Sequence, residues 1–553
     1  KLYNHFGEDV LDTIRTNPYF LIDHMKGIGF KTADNIARGF GIDPTNPFRL
    51  HAGVDFILNE NEQKNGNLYL EMDLLQKRAG YLLSTSASEI EQIVDDKIDR
   101  NEIIREVLSE SDPQSIVLRY ETHLVEKEIA GRLKMFAAEK PNGFDIENSL
   151  TSISDQLNIQ LADEQQDALH SISENGLTIV TGGPGTGKTT LIRIIIELFM
   201  EQGQRVKIAA PTGRAAKRIE ETSGYSASTI HRMLKIDPET GRFTHHESNP
   251  LNTDLVIIDE SSMIDTYLFL ALLRAIASRT RIVLIGDRDQ LPSVGPGNVL
   301  RDLIHSERFR TIFLKRNFRQ EQDSLIIENA YRINRGEPVV TKSYSDELDF
   351  VSITVSDQAT VLKKIINIYR YYEESYSYNG SEIQVLVPMY RGEAGISNIN
   401  SQIQMIFNPN GFSHRDESRQ FKKEDKVMQL KNNYEKDVFN GEQGIIAGHD
   451  EETGILSVEF DDRIVEYDRE ELDELSLAYA VSVHKSQGSE YDMVILVLLP
   501  YHQIMLNREI FYTAVTRAKK KLFLISDPQT IQTAISNSSP TERKTLLEKR
   551  IRE

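Results

Sequence analysis

From Leu161 onward, short apolar runs alternate with stretches of helical texture. Leu177-Thr178-Ile179-Val180, Val206-Lys207-Ile208-Ala209, Leu255-Val256-Ile257-Ile258 and Ile282-Val283-Leu284-Ile285 have strand length, and helical segments separate them. That order predicts an α/β unit with a parallel sheet covered on both faces. A second such block opens at Glu382-Ile383-Gln384-Val385-Leu386-Val387. Four further strand-like pieces follow without intervening helices: Lys426–Gln429, Gly444–Ala447, Ile455–Phe460 and Ile464–Tyr467. Their close spacing argues for a small antiparallel barrel inserted in the second sheet, near 421–475. Residues 1–150 read instead as short helices joined by polar turns, with Asn142-Gly143 and Asn148-Ser149 as a linker. The expected division is 1–150, 151–340 and 341–553.

The first apolar run leads into Gly182-Gly183-Pro184-Gly185-Thr186-Gly187-Lys188-Thr189, with Thr190 opening a helical stretch to Met200. Strand, glycine-rich turn and helix make a phosphate cradle: backbone N–H groups turn inward and the helix N-terminus favours anions. Lys188 would reach the outer phosphates of ATP and the Thr189 hydroxyl would ligate Mg²⁺. The third run delivers Asp259 and Glu260 at its end. Asp259 suits the metal and Glu260 the attacking water. Binding without hydrolysis would not need Glu260.

Composition refines the picture. The 553 residues carry 64 Lys and Arg against 84 Asp and Glu, a net charge of −20, which on its own speaks against a polyanion partner. A motor needs only a local basic channel, so the acidic balance predicts modest, salt-sensitive binding. No cysteine is present, which excludes disulfides and thiolate metal sites. No apolar run reaches the ~18 residues of a membrane span. A cytoplasmic, monomeric motor without membrane contact is expected. The opening Lys1-Leu2-Tyr3-Asn4 reads as a cut inside a longer protein.

Further segments carry a family resemblance. Gly286-Asp287-Arg288-Asp289-Gln290-Leu291-Pro292 resembles motif III of superfamily 1 helicases, in which the Gln senses the terminal phosphate. Ala210-Pro211-Thr212-Gly213-Arg214-Ala215-Ala216 is similar to motif Ia of RecD-like enzymes, and Thr229-Ile230-His231-Arg232 to their motif Ib. Val483-His484-Lys485-Ser486-Gln487-Gly488-Ser489-Glu490 resembles motif V, and Tyr512–Ala518 resembles motif VI. The resemblance, which runs from Leu161 to about Ser526, implies two RecA-like P-loop domains with ATP in the cleft between them. It implies Arg319 and Arg517 as arginine fingers, Gln165 and Phe318 as adenine contacts, and Glu490, beside Gly488, as a ribose contact. It also implies Thr212, Arg214, Thr229, His231, His484 and Lys485 as contacts to the backbone of single-stranded DNA, with 5′→3′ movement. Hydroxyls and cations on loops suit phosphate holding without base reading.

Two accessory segments complete the reading. Met25-Lys26-Gly27-Ile28-Gly29-Phe30-Lys31 lies between helical stretches, and Gly27, Gly29 and Lys31 could cup a backbone phosphate. It resembles the helix-hairpin-helix elements of the stand-alone RecD subfamily, and Asn4–Asp9 looks like the end of a preceding copy. Between Met233 and His246 the pattern is strand, turn, strand, with Phe243 on the second arm. The family places a strand-splitting pin here. A DNA helicase acting at duplex junctions in repair or recombination is the expectation; the alternatives are a nucleotide-switched binding protein and an RNA motor.

Overall fold

The computed structural model describes residues 10–553 apart from 26, 109–112, 139–145, 147–148, 152, 154–158, 238–239, 319–323, 343–344, 346, 356, 377–381, 410–420, 434, 451, 461–462 and 538–542. Asn4–Asp9, Lys26 and Arg319 therefore lie outside the described residues. The N-terminal unit is built on the helices Val10–Thr16, Phe20–His24, Phe30–Gly39, Pro47–Asn65, Met72–Leu83 and Ala87–Asp99. Ser86 and Glu89 form a reciprocal capping box at the start of the last one. Their core gathers Phe30, Val54, Ile57, Leu75 and Ile90. The sequence predicts a purely helical unit, and the structure corrects this. The unit carries a three-stranded antiparallel sheet, β1 (Leu70–Glu71), β2 (Ile103–Val107) and β3 (Ser115–Arg119), in the order β1-β3-β2. β1 is two residues long and β2 sets Arg105 and Glu106 among its apolar positions, so neither gives a periodic signal.

The first motor domain is a six-stranded parallel sheet ordered β6-β5-β7-β8-β4-β9. Its strands are β4 (Leu177–Gly182), β5 (Val206–Ala210), β6 (Ser228–Thr229), β7 (Leu255–Ile258), β8 (Arg281–Gly286) and β9 (Arg310–Leu314). Side chains alternate between faces along a strand. Thus Leu255 and Ile257 enter one core cluster while Val256 and Ile258 enter the other. That is why the central strands β7 and β8 read as near-continuous apolar runs.

The second motor domain repeats the design with β10 (Phe350–Thr354) and β11 (Ile383–Leu386). A small domain then intervenes, with β12 (Lys426–Gln429), β13 (Gln443–His449), β14 (Leu456–Phe460), β15 (Arg463–Tyr467) and β16 (Leu475–Leu477). These five strands form an antiparallel sheet around their own core of Val427, Ile446, Val458, Phe460 and Tyr467. β17 (Ala480–Val481), β18 (Tyr491–Val497) and β19 (Ala518–Ser526) complete the parallel sheet in the order β10-β19-β18-β11-β17.

Core membership corrects the expected boundaries. The helix Tyr120–Ala138 buries Val125, Ile129, Leu133 and Phe136 in the first motor domain, so that domain's packing begins near 120 rather than 151. The helix Leu325–Asn334 buries Leu325, Ile326, Ala330 and Ile333 in the second, which therefore starts before 341. The final helix, Leu547–Arg552, returns to the first motor domain and puts Leu547 and Ile551 into its core. The expected hairpin at 233–246 is short: one antiparallel bridge joins Ile236 and Phe243, and Asp237 N–H donates to Arg242 O at 2.8 Å. Among the described residues no helix is long and apolar enough to cross a membrane.

Candidate functional site

The glycine-rich turn leaves β4 and enters the helix Lys188–Glu201, which Thr189 and Thr190 continue. Gly185 (φ 77°) and Gly187 (φ 79°) lie in the left-handed region, where a side chain would be strained. A Cβ on Gly187 would stand 2.7 Å from Gln165 Nε2 and 3.3 Å from the Phe318 ring. The proposed adenine-contacting pair thus closes directly on the loop. Gln165 accepts the Ala162 N–H at 3.1 Å, while Phe318 N–H donates to Gly185 O at 2.9 Å and Asn317 Nδ2 to Pro184 O at 3.1 Å. Lys188 Nζ donates to Gly182 O at 2.6 Å and Gly183 O at 2.9 Å, and Thr186 Oγ1 also donates to Gly183 O. The ammonium is held at the loop by weak neutral acceptors that a phosphate would replace.

Asp259 and Glu260 follow β7, and Glu260 is buried at φ 50°, a left-handed conformation a non-glycine residue rarely takes. Asp259 accepts the Glu260 N–H at 2.9 Å. Burial first, and the neighbouring Glu260 charge second, raise the Asp259 carboxyl above its ordinary range. Two adjacent carboxylates, offset only in part by Lys188 and Arg218, suit a divalent cation. Among the described residues no group of three or more His, Cys, Asp or Glu could hold a metal by itself. A Mg²⁺ here would take Thr189 and Asp259 together with nucleotide oxygens, the usual arrangement for an ion that keeps few protein ligands.

Opposite this pocket stand the second domain's residues. Tyr512 donates to Asp287 Oδ2 at 2.8 Å, and Gln290 Nε2 donates to the same oxygen at 3.2 Å. Leu291 N–H donates to Thr513 Oγ1 at 3.0 Å, and Gln487 Nε2 to Leu291 O at 2.9 Å, so motifs III, V and VI are joined across the cleft. Arg517 is buried and turned into its own domain, donating to Ser489 O at 3.0 Å and Thr513 O at 3.2 Å. In this conformation it does not face the phosphate loop. Glu490 pairs with Arg218 at 2.8 Å, a cation the sequence reading missed. The Arg218 guanidinium also feels Glu260 and Asp259, and lies on the helix Gly213–Ser223 directly after the motif Ia loop.

A second cleft, of about 850 Å³, runs between the motor domains and takes in Thr212, Arg214, His484 and Lys485. Lys485 Nζ donates to Asn440 Oδ1, and Arg214 donates to Gln443 Oε1 at 3.0 Å with its guanidinium 4.8 Å over the Tyr491 ring. Gly488 brings the motif V loop onto motif Ia: a Cβ there would lie 2.8 Å from Thr212 Oγ1. Burial lowers both His484 and Lys485. Val294 (73 % exposed) and Ile504 (94 % exposed) add apolar surface that the sequence reading did not include. Thr229 and His231 do not join this cleft. Thr229 is buried and caps its helix, accepting Arg232 N–H at 3.1 Å, and the His231 ring packs 5.8 Å from Phe243. Phe243 is half-buried against the first motor core. Gly27 (φ 95°) and Gly29 precede the helix Phe30–Gly39, and Lys31 is exposed on its first turn.

Comparison with known proteins bears directly on this geometry. An AAA domain matches residues 165–296, a UvrD-like helicase C-terminal domain 477–525, and an ATP-dependent RecD-like DNA helicase SH3 domain 399–460. The ATP-dependent RecD2 DNA helicase HHH domain matches residues 1–69. The ATP-dependent RecD2 DNA helicase of Deinococcus radiodurans is 31 % identical over 559 residues, covering 99 % of this chain and 74 % of its own length. The chain belongs to the RecD2 DNA helicases. The RecBCD enzyme subunit RecD of Mycolicibacterium smegmatis is 30 % identical over 426 residues, 70 % of this chain and 75 % of that one. Among solved structures, a Pif1 helicase from Candida albicans aligns with 68 % of this chain and 96 % of its own, at 20 % identity and a TM-score of 0.41. As a RecD2-type enzyme the chain is an ATP-hydrolysing DNA helicase of the P-loop class.

Proposed function

We propose that this RecD2-type helicase moves 5′→3′ along single-stranded DNA, using Mg²⁺-ATP, and opens duplex at junctions during repair or recombination. The observation that carries the reading is the convergence of Thr212, Arg214, His484 and Lys485 on one interdomain cleft, with Gly488 set against Thr212 and Glu490 paired to Arg218 beside it. These groups suit a backbone track that holds phosphates without reading bases. Within the pocket, Lys188 and the loop N–H groups bind the phosphates, and Gln165 and Phe318 hold the base. Thr189 and Asp259 hold the metal, which when bound neutralises phosphate charge. Glu260 takes the proton of the attacking water, and Gln290 orients the terminal phosphate. Arg319 and Arg517 supply cationic help from across the cleft. Arg517 must leave Ser489 O to do so, and Glu490 must exchange Arg218 for a ribose hydroxyl; both changes belong to cleft closure. The chain acts as a monomer in this reading.

The test is unwinding of forked substrates with a single 5′ or a single 3′ tail, alongside ATP turnover with and without single-stranded DNA. Opening of 5′-tailed forks and DNA-stimulated turnover are expected. Preference for 3′ tails would overturn the polarity, and turnover indifferent to DNA would overturn the track.

A further inference from the structure

The hydroxyl of Tyr331 is inaccessible to solvent and has no hydrogen-bond partner among the described residues. It lies over the phosphate loop. From the Cβ position of a side chain built on Gly183, Tyr512 Oη is 3.2 Å away, Tyr331 Oη 3.8 Å and Tyr331 Cε1 3.9 Å. Two tyrosine hydroxyls therefore meet one corner of the cradle. Tyr512 is committed, donating to Asp287 Oδ2 at 2.8 Å. Tyr331 is not.

A buried hydroxyl without a partner is costly, and a phenylalanine would fill the same space without that cost. The orphan asks for a ligand, and its surroundings say which. The Gly183 carbonyl at this corner is where Lys188 Nζ rests, 2.9 Å away, and a phosphate-loop lysine goes to the outer phosphates of the nucleotide. The phenol is neutral, so it would reach an anion as a hydrogen-bond donor and not as a counter-charge. Its carrier matters too. Tyr331 sits on the helix Leu325–Asn334, whose Leu325, Ile326, Ala330 and Ile333 are packed in the second motor domain. The loop it faces belongs to the first.

We propose that Tyr331 donates a hydrogen bond to the terminal phosphate of ATP, supplied across the cleft by the second motor domain. The proposal rests on the nucleotide pocket described above and extends it to a residue outside the recognised motifs. ADP leaves the hydroxyl orphaned again, so the contact differs between ATP and ADP states. A difference of that kind is what biases one domain arrangement over another.

The experiment compares the whole chain with Tyr331→Phe, titrating each with ADP and with ATPγS in the presence of Mg²⁺, and melting each without nucleotide. Tyr331→Phe should weaken ATPγS about tenfold or more, the scale of a lost hydrogen bond to a charged group, and leave ADP affinity within about twofold. Its melting temperature without nucleotide should be equal or higher, because the hydroxyl has no partner to lose. Equal weakening of both nucleotides, no weakening of either, or a lower melting temperature without nucleotide would each overturn the assignment. Lys188→Ala serves as the control: if it still binds both nucleotides normally, the pocket itself is misplaced, a failure separate from that of Tyr331.

Discussion

Residues 543–553 lie across the first motor domain and the N-terminal unit as a strap, and two buried acids lie beneath it. Leu546 N–H donates to Glu126 Oε1 at 2.8 Å, and Thr545 Oγ1 donates to Asp302 Oδ2 at 2.8 Å. Arg550 Nε lies 3.6 Å from Glu126 and its Nη2 is 2.8 Å from Glu106, which also meets His123. Burial pushes the Glu126 carboxyl up from 4.5 to about 7, with the Glu106 charge adding to the rise and Leu546 N–H and Arg550 opposing it. Asp302 is raised as well, mainly by burial, with Glu126 adding. A folded-state value above the unfolded one means that the native protein keeps a proton the unfolded chain has lost. The contribution of Glu126 to stability therefore falls as pH rises from 4.5 to about 7 and is flat above that. At about 1.36 kcal/mol per unit, the cost of ionised Glu126 is roughly 3 kcal/mol. Glu126→Gln retains an oxygen for Leu546 N–H and removes the ionisation. The variant should match the parent near pH 4 and exceed its stability by roughly 3 kcal/mol at pH 8, read as urea midpoints at both pH values. Amide exchange at Leu546 should slow in parallel. A stability difference between variant and parent that does not change with pH would refute the reasoning.

Glu260→Gln should bind ATP and DNA normally yet lose at least about a hundredfold in turnover, the usual worth of a positioned base; near-normal turnover would remove Glu260 from that role. Gly187→Ala places a methyl 2.7 Å from Gln165 Nε2 at φ 79°. Calorimetric titration should show nucleotide affinity falling tenfold or more through about 1–2 kcal/mol of backbone strain plus displacement of Gln165, and unchanged binding would deny the loop its closeness to the base. Replacing Ile236–Thr244 with a short Gly-Ser turn should spare DNA-stimulated ATP hydrolysis while unwinding of forks collapses. Surviving unwinding would place the wedge elsewhere.

What the sequence disclosed was local. The strands β4, β7 and β8 are buried on both faces, so the apolar run itself is the signal, and the cradle between Gly182 and Thr189 needs glycine at two left-handed positions. The family resemblance extended this to the second domain. What stayed hidden depends on contacts distant in sequence. Arg218 looks like one more helix-surface cation until Glu490 is placed against it, 272 positions later. Tyr331 resembles any core aromatic of an amphipathic helix, and only its orphaned hydroxyl over Gly183 sets it apart. Thr229 and His231 carried the right residue types in the right motif, but the first caps a helix and the second packs on Phe243. The domain boundaries moved because the helices Tyr120–Ala138, Leu325–Asn334 and Leu547–Arg552 bury their apolar faces in cores on the far side of the boundaries read from the sequence.

The strap also sets the order in which the molecule can be finished. Leu547 and Ile551 complete a core whose other members begin at Val125, and Arg543 gives hydrogen bonds to the carbonyls of Gly295 and Gly297. Domains emerging from the ribosome ordinarily fold in turn, N-terminal first. Here the first motor domain waits with an open apolar groove until both it and its neighbour have been synthesised. Closing that groove joins residues more than 400 positions apart, a contact of the kind that slows folding. A nascent chain stalled before Arg543 would expose this groove to chaperones, and the wait would end only when residues 543–553 had cleared the exit tunnel.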